Sequence, residues 1–352
     1  MAQPDAPRPT FDPGAAAAPG SGIFGLPEDR EGAGVHVIGV PFDATTSFRK
    51  GTARGPEAIR EASRQVDLFD LATGRPYEAG IWMAPIETRV LTWNEEASRV
   101  AEPVIAAGGI ENDPALRAAA AEVDRIGAAL NEWVESQAAE VLAAGKLCAL
   151  VGGDHSVPFG SIRAHAAHHP DLGILHFDAH ADLRPAYEGF TWSHASILRN
   201  VVERIDGVAR VLQVGIRDFS EEEHDFITGS AGRIRAVTDL DWAAARHSGE
   251  PLRELVRRSL GDLPSEVYVT FDVDGLDPAL CPNTGTPVPG GLAWNEAMLW
   301  LEELVHSGRR IVGLDLNEVA PAPDGELGAG WDENVGARLL YRLIGFALKS
   351  RA

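Results

Sequence analysis

Two cysteines in 352 residues, Cys148 within an apolar run and Cys281 in a proline-rich loop, leave no material for a disulfide framework. A reducing compartment suits such a chain, and the cytoplasm is the expected location. No apolar run approaches the roughly 18 residues that a membrane-spanning helix needs. The opening "MAQPDAPRPTFDPGAAAAPGSG" also lacks a basic stretch followed by an apolar one, so neither insertion nor secretion is expected. Basic residues are outnumbered: 31 Lys and Arg face 52 Asp and Glu, a formal net charge of -21. That balance argues against nucleic acid and anionic lipid as partners and favours a small cation. There is no Gly-x-Ser-x-Gly elbow, no Walker-type phosphate loop and no thiol-enzyme signature around either cysteine, so serine, cysteine and nucleotide chemistry have no anchor.

What is present is an ordinary globular balance, 45% hydrophobic and 24% charged. Residues 1–30 are rich in Pro, Ala and Gly and read as a flexible or surface-wrapping N-terminal arm; residues 31–352 read as a single catalytic domain. From Val35 onward, short β-rich runs alternate with longer helical ones, the signature of a parallel sheet with crossover helices. The runs are "VHVIGV", "LCALVGG", "LGILHFD", "ARVLQVGI", "EVYVTFDV" and "RIVGLDL". Between them, residues 113–145 open with a capping Asp113 before Pro114 and keep Val123, Ile126, Leu130, Val134 and Val141 near one face. A second such helix runs through Val335, Leu339, Leu343 and Phe346, while residues 89–112 show no clear period. The expected fold is three-layer α/β, with helices on both faces of a mostly parallel sheet.

The apolar runs end in ionisable residues. Three ends stand out: "GGDHS" with Asp154 and His155, "HFDAHADLR" with Asp178, His180 and Asp182, and "FDVDGLDP" with Asp272 and Asp274. Ligands of open parallel sheets sit beyond the carboxyl ends of the strands, so these groups are expected to converge. A lone Asp-x-Asp at a strand end is more often a turn or cap. Three such motifs at three strand ends are not so easily dismissed. Four carboxylates and two imidazoles in one pocket repel or stay protonated unless cations neutralise them. Mixed oxygen and nitrogen donors suit Mn, Fe, Ni, Co or Zn, and a two-metal centre that activates water for hydrolysis is the natural reading. His165, His168 and His169 are expected on the solvated face of a helix.

These motifs, with "GVPFDATTSFRKGTARGPEAIREAS", "TGTPVPGGL" and "GLDLNEVAP", resemble those of the ureohydrolases, the arginase and agmatinase family, over nearly everything from Val35 to the C-terminus. The resemblance implies an arginase-like fold and two Mn²⁺ per subunit, with Ni²⁺, Co²⁺ or Fe²⁺ accepted by the same donors. His155, Asp178, Asp182 and Asp272 would hold one ion, and Asp178, His180, Asp272 and Asp274 the other. A hydroxide between the ions would attack the guanidinium carbon, with Asp182 orienting it, His194 shuttling a proton and Glu318 pairing with the guanidinium. It further implies a homo-oligomer, trimer or hexamer.

Arginine-specific members have an Asn where this chain has Arg184 and an acid where it has Ser220. Agmatine, hydrolysed to putrescine and urea in polyamine biosynthesis, is therefore the leading candidate. Arg184, if it points inward, would suit a carboxylate instead, so 4-guanidinobutyrate, formiminoglutamate and free guanidine stay open. So does a non-catalytic relative.

Overall fold

All six apolar runs form strands in the computed structural model, which describes residues 11–18 and 20–352. In chain order the elements are β1 (Val35–Val40), α1 (Gly55–Ala62), β2 (Ile81–Met83), α2 (Thr88–Ala106), α3 (Pro114–Ala143), β3 (Leu147–Gly152), α4 (Phe159–His168), β4 (Leu172–Phe177), α5 (Ile197–Arg204), β5 (Val208–Ile216), α6 (Glu221–Gly229), β6 (Ile234–Thr238), α7 (Asp239–Ser248), α8 (Leu252–Leu260), β7 (Glu266–Asp272), α9 (Trp294–His306), β8 (Arg310–Asn317) and α10 (Trp331–Lys349). The strands pair in parallel as one sheet, in the order β2-β1-β3-β8-β7-β4-β5-β6.

Alternation along each strand divides the core into layers. Val37, Ala149, Leu175, Phe271 and Leu314 face α1, α7, α8, α9 and α10. Ile38, Cys148 and Leu150 face α2 and α3, while Ile174, Val211 and Tyr268 face α4 and α5. The expected three-layer α/β architecture is present. Asp113 caps α3 as expected, accepting from the amides of Ala115 and Leu116.

Two expectations need correction and a third is narrowed. Residues 89–112 contain most of α2, which runs through Pro103 and buries only Val90, Ala97, Ala101 and Val104, too sparse an apolar stripe to read. Over part of its length the N-terminal arm is surface-wrapping rather than flexible, the second of the two forms expected of it. Ile23, Phe24 and Leu26 are buried, Phe24 packs 4.8 Å from the Tyr341 ring, and its amide donates to Ser63 Oγ at 2.8 Å. Residues 1–10 and 19 of that arm lie outside the described residues. His165 is fully buried rather than solvated, because Gly313 on β8 leaves room for its ring; a Cβ there would stand 2.2 Å from His165 Nε2. His168 is exposed, and His169 is half-buried with Nδ1 2.8 Å from Glu266.

Candidate metal centre and active site

The four central strands, β3, β8, β7 and β4, place the candidate residues side by side. The β4 and β7 registers align Phe177 with Phe271, so Asp178 follows one strand end beside Asp272 at the other. The turn after Asp272 approaches β4 so closely that Gly275 has no room for a side chain: a Cβ would lie 2.7 Å from the Asp178 nitrogen.

His155 Nδ1 lies 3.0 Å from Asp178 Oδ2, 3.3 Å from Asp182 Oδ2 and 3.4 Å from Asp272 Oδ2. His180 Nδ1 lies 3.4 Å from Asp178 Oδ1 and 3.1 Å from Asp274 Oδ2. Six donors expected from three distant motifs therefore meet in one place. Two sets of potential ligand atoms each fit within 4.8 Å: His155, His176, Asp178 and Asp182 in one, and Asp178, His180 and Asp274 in the other. Asp178 belongs to both sets, where a bridging carboxylate would stand.

The electrostatics favour cations here. Asp178, Asp182, Asp272 and Asp274 are buried, and among the described residues no Lys or Arg pairs with them. Burial and the adjacent Asp178 push Asp182 up to about 7. Burial, with Asp274 and Asp178 beside it, raises Asp272 well above the carboxylate range. Burial and the charge of Asp272 do the same to Glu318. Asp178 differs: despite its burial, the imidazoles of His176, His155 and His180 hold it well below the carboxylate range. A mixed O/N cluster with acids as reluctant to ionise as Asp182 and Asp272 fits divalent transition ions, which would relieve the repulsion. Asp182 and Glu318 also hold left-handed backbone, φ 54° and 64°, a conformation that costs non-glycine residues about 1–3 kcal/mol and concentrates at functional sites.

Beneath the cluster runs a polar row that the sequence reading missed. The strand register sets Asp315 of β8 beside Thr270 of β7, Thr270 beside His176 of β4, and His176 beside Gln213 of β5. All four are fully buried. His155 Nε2 is 2.8 Å from Thr270 Oγ1, and Thr270 donates to Asp315 Oδ1 at 2.7 Å. Gln213 Nε2 donates to His176 Nδ1 at 3.0 Å, which leaves His176 Nε2 to donate to Asp178 Oδ2 at 2.9 Å. By this bonding His176 is a support for Asp178 rather than a ligand, although it lies within ligand distance. Asp154, from the "GGDHS" motif, points away from the cluster and accepts from Ser156, Thr45 and Thr46.

Above the cluster opens a cavity of about 360 Å³, with His180, Asp182 and His194 among its walls and Arg184, Tyr187, Phe48, Asp218 and Glu223 nearby in the same lining. His194 begins a short 3-10 turn before α5; its Nδ1 is buried without a hydrogen-bond partner, and burial together with the charge of His180 lowers its pKa to about 4. Glu318 does not line this cavity. Its Oε1 accepts from the His155 amide at 2.9 Å, and its buried Oε2 has no partner. Ser220 caps α6 through a reciprocal bond with Glu223.

A family model described as the arginase family matches residues 33–345. The N(1)-aminopropylagmatine ureohydrolase of Thermus thermophilus is 34% identical over 316 residues, covering 90% of each chain. The guanidinobutyrase of Pseudomonas aeruginosa is 33% identical over 313 residues, covering 87% of this chain and 84% of its own. Among solved structures, the agmatine ureohydrolase of Thermoplasma volcanium superposes with a TM-score of 0.67 at 25% identity and 92% coverage of both chains. Along nine-tenths of its length, then, the protein matches curated ureohydrolases in sequence and fold, and it belongs to the arginase family, as a hydrolytic enzyme of that family.

Proposed function

We propose that the protein is a manganese-dependent hydrolase that cleaves a guanidinium C–N bond of a linear guanidino compound, releasing urea and an amine. The observation that carries this reading is the buried cluster of His155, Asp178, His180, Asp182, Asp272 and Asp274 at adjacent strand ends, with no Lys or Arg among the described residues paired to its four carboxylates. His155, Asp178, Asp182 and Asp272 would hold one ion; Asp178, His180, Asp272 and Asp274 would hold the other. Two ions held there would lower the pKa of water and so supply a nucleophile for hydrolysis at neutral pH.

The chain's own residues do the rest. Asp182, with its oxygen beside His155 and its backbone fixed, orients the nucleophile. His194 carries a proton to the departing amine as the C–N bond breaks; its unpartnered Nδ1 on the cavity wall is placed for that exchange. The family resemblance gives Glu318 the pairing with the substrate guanidinium; its unpaired Oε2 is buried behind the cavity lining, and a cation brought beside it would favour the carboxylate form.

Agmatine, giving putrescine and urea, is the substrate the sequence reading favoured, and the agmatine ureohydrolase among the structural neighbours supports the class. 4-Guanidinobutyrate, guanidine and formiminoglutamate are its rivals. The reading extends to one catalytic domain over residues 31–352, in a cytoplasmic homo-oligomer of three or six chains. Sedimentation of the purified protein checks the last point.

The decisive test is urea release by manganese-loaded protein offered agmatine, arginine, 4-guanidinobutyrate and free guanidine, with formamide and ammonia followed for formiminoglutamate. Turnover of any guanidino compound supports the reading. Silence with all of them under several metals would make this a non-catalytic relative.

A further inference from the structure

Besides His180, Asp182, His194 and Tyr187, the lining of the cavity carries Arg184, Asp218 and Glu223. Glu223 is not available to a ligand. It is 3% exposed, its Oε1 accepts from the Leu183 amide at 3.0 Å, and its Oε2 accepts from both the amide and the hydroxyl of Ser220 at 2.9 Å. Swinging outward would uncap α6 and strand the Leu183 amide, so this carboxylate is a fixed part of the wall.

Arg184 is held on two sides and open on the third. Its Nε faces Glu223 Oε2 at 3.6 Å, and its guanidinium carbon sits 5.2 Å from the centre of the Tyr187 ring. Its two terminal nitrogens make no hydrogen bond among the described residues, and the side chain is 39% exposed at the cavity. A planar cation braced through Nε and one face, with its outer N–H groups free, is a fork for a carboxylate. An ammonium arriving at the same place would meet like charge. Phe48, 60% exposed in the same lining, offers an apolar flank for a methylene chain.

We propose that the substrate is a linear guanidino acid and that Arg184 selects it by binding the tail carboxylate. The inference rests on the guanidino-hydrolase reading and narrows it, against agmatine. Arginine and 4-guanidinobutyrate both carry such a carboxylate, so both fall within the class.

Arginine and agmatine form a matched pair, since they differ only in the carboxylate. The experiment compares kcat/KM for urea release by the full-length, manganese-loaded protein with arginine, 4-guanidinobutyrate, agmatine and free guanidine. It is repeated with Arg184→Gln and with Arg184→Lys, which keeps the charge and loses the fork. In the native protein one of the two acids exceeds agmatine by at least about tenfold, and in Arg184→Gln the acid-to-agmatine ratio falls about 10- to 100-fold, chiefly through KM, with Arg184→Lys between them. Agmatine turned over as well as or better than both acids overturns the proposal, as does a ratio unchanged by Arg184→Gln. Urea from none of the four sinks the hydrolase reading itself and the tail proposal with it.

Discussion

The Nε2 atom of His155 lies 2.8 Å from the hydroxyl of Thr270, on the far side of the ring from the three carboxylates that face Nδ1. Thr270 has one hydrogen, and the Asp315 carboxylate 2.7 Å away takes it. The hydroxyl therefore accepts from His155 Nε2–H, which fixes the ring with Nδ1 turned to the cluster, where a metal would take its lone pair.

Thr270→Val, which keeps the shape and removes the hydroxyl, is expected to weaken manganese binding about 10- to 100-fold, while Thr270→Ser holds it near the native value. Manganese titration followed by thermal shift reads this directly. Equal affinity in native protein and Thr270→Val would show that the relay does not position the ring.

Asp272 stands at the end of β7 between His155 and the Asp274 turn, its Oδ1 accepting from the Asp274 amide at 2.9 Å. Asp272→Ala is expected to lower bound manganese from two ions per chain towards none and to abolish urea release. A variant that hydrolyses substrate without bound metal would refute the two-metal reading.

His165 gives a pH dependence remote from the site. Burial, partly offset by the bond to the Ser161 carbonyl, lowers its pKa to about 3 from an ordinary 6.5. Between those values the unfolded chain takes up a proton that the folded chain refuses. The stability at issue is therefore present above pH 6.5 and is lost as pH falls towards 3. From pH 7 to pH 5 this group alone should cost about 2 kcal/mol. Denaturant unfolding of native protein and His165→Asn at both pH values checks it: the native protein should lose about 2 kcal/mol more than the variant. Equal losses would contradict the assignment.

Phe24 tests the surface-wrapping part of the arm. Its ring is 2% exposed and rests on Tyr341 of α10. Phe24→Ala should lower stability by about 3 kcal/mol in equilibrium unfolding. A loss below about 1 kcal/mol would return this segment to the flexible form that its composition also suggested.

Six strands were legible because each is an apolar, β-branched run buried on both faces, from Val35–Val40 to the last. The two missed strands are the sheet edges. Ile81–Met83 has three residues, and Ile234–Thr238 is partly exposed, so neither has a long run to show. The same logic divides the site. Asp178, His180, Asp182, Asp272 and Asp274 recur at alternate positions after strands and can be read as motifs. Thr270, Asp315 and Gln213 are single polar residues inside strands, and His176 is read as part of its motif without a role. Their meaning lies in the register between strands, which no local pattern encodes.

The position of β8 has a consequence for when the centre comes into being. It is the final strand of the chain, yet it is inserted between β3 and β7 in the middle of the sheet. A nascent chain ending before Arg310 holds two separate ribbons, β2-β1-β3 and β7-β4-β5-β6. His155 rides on the first, and Asp178, His180, Asp182, Asp272 and Asp274 ride on the second. Nothing in the backbone pairing joins them until the last strand arrives, carrying Asp315 and leading to Glu318. The six donors are thus joined by strand pairing only with the last strand in place, and a chain released before it leaves them divided between two ribbons.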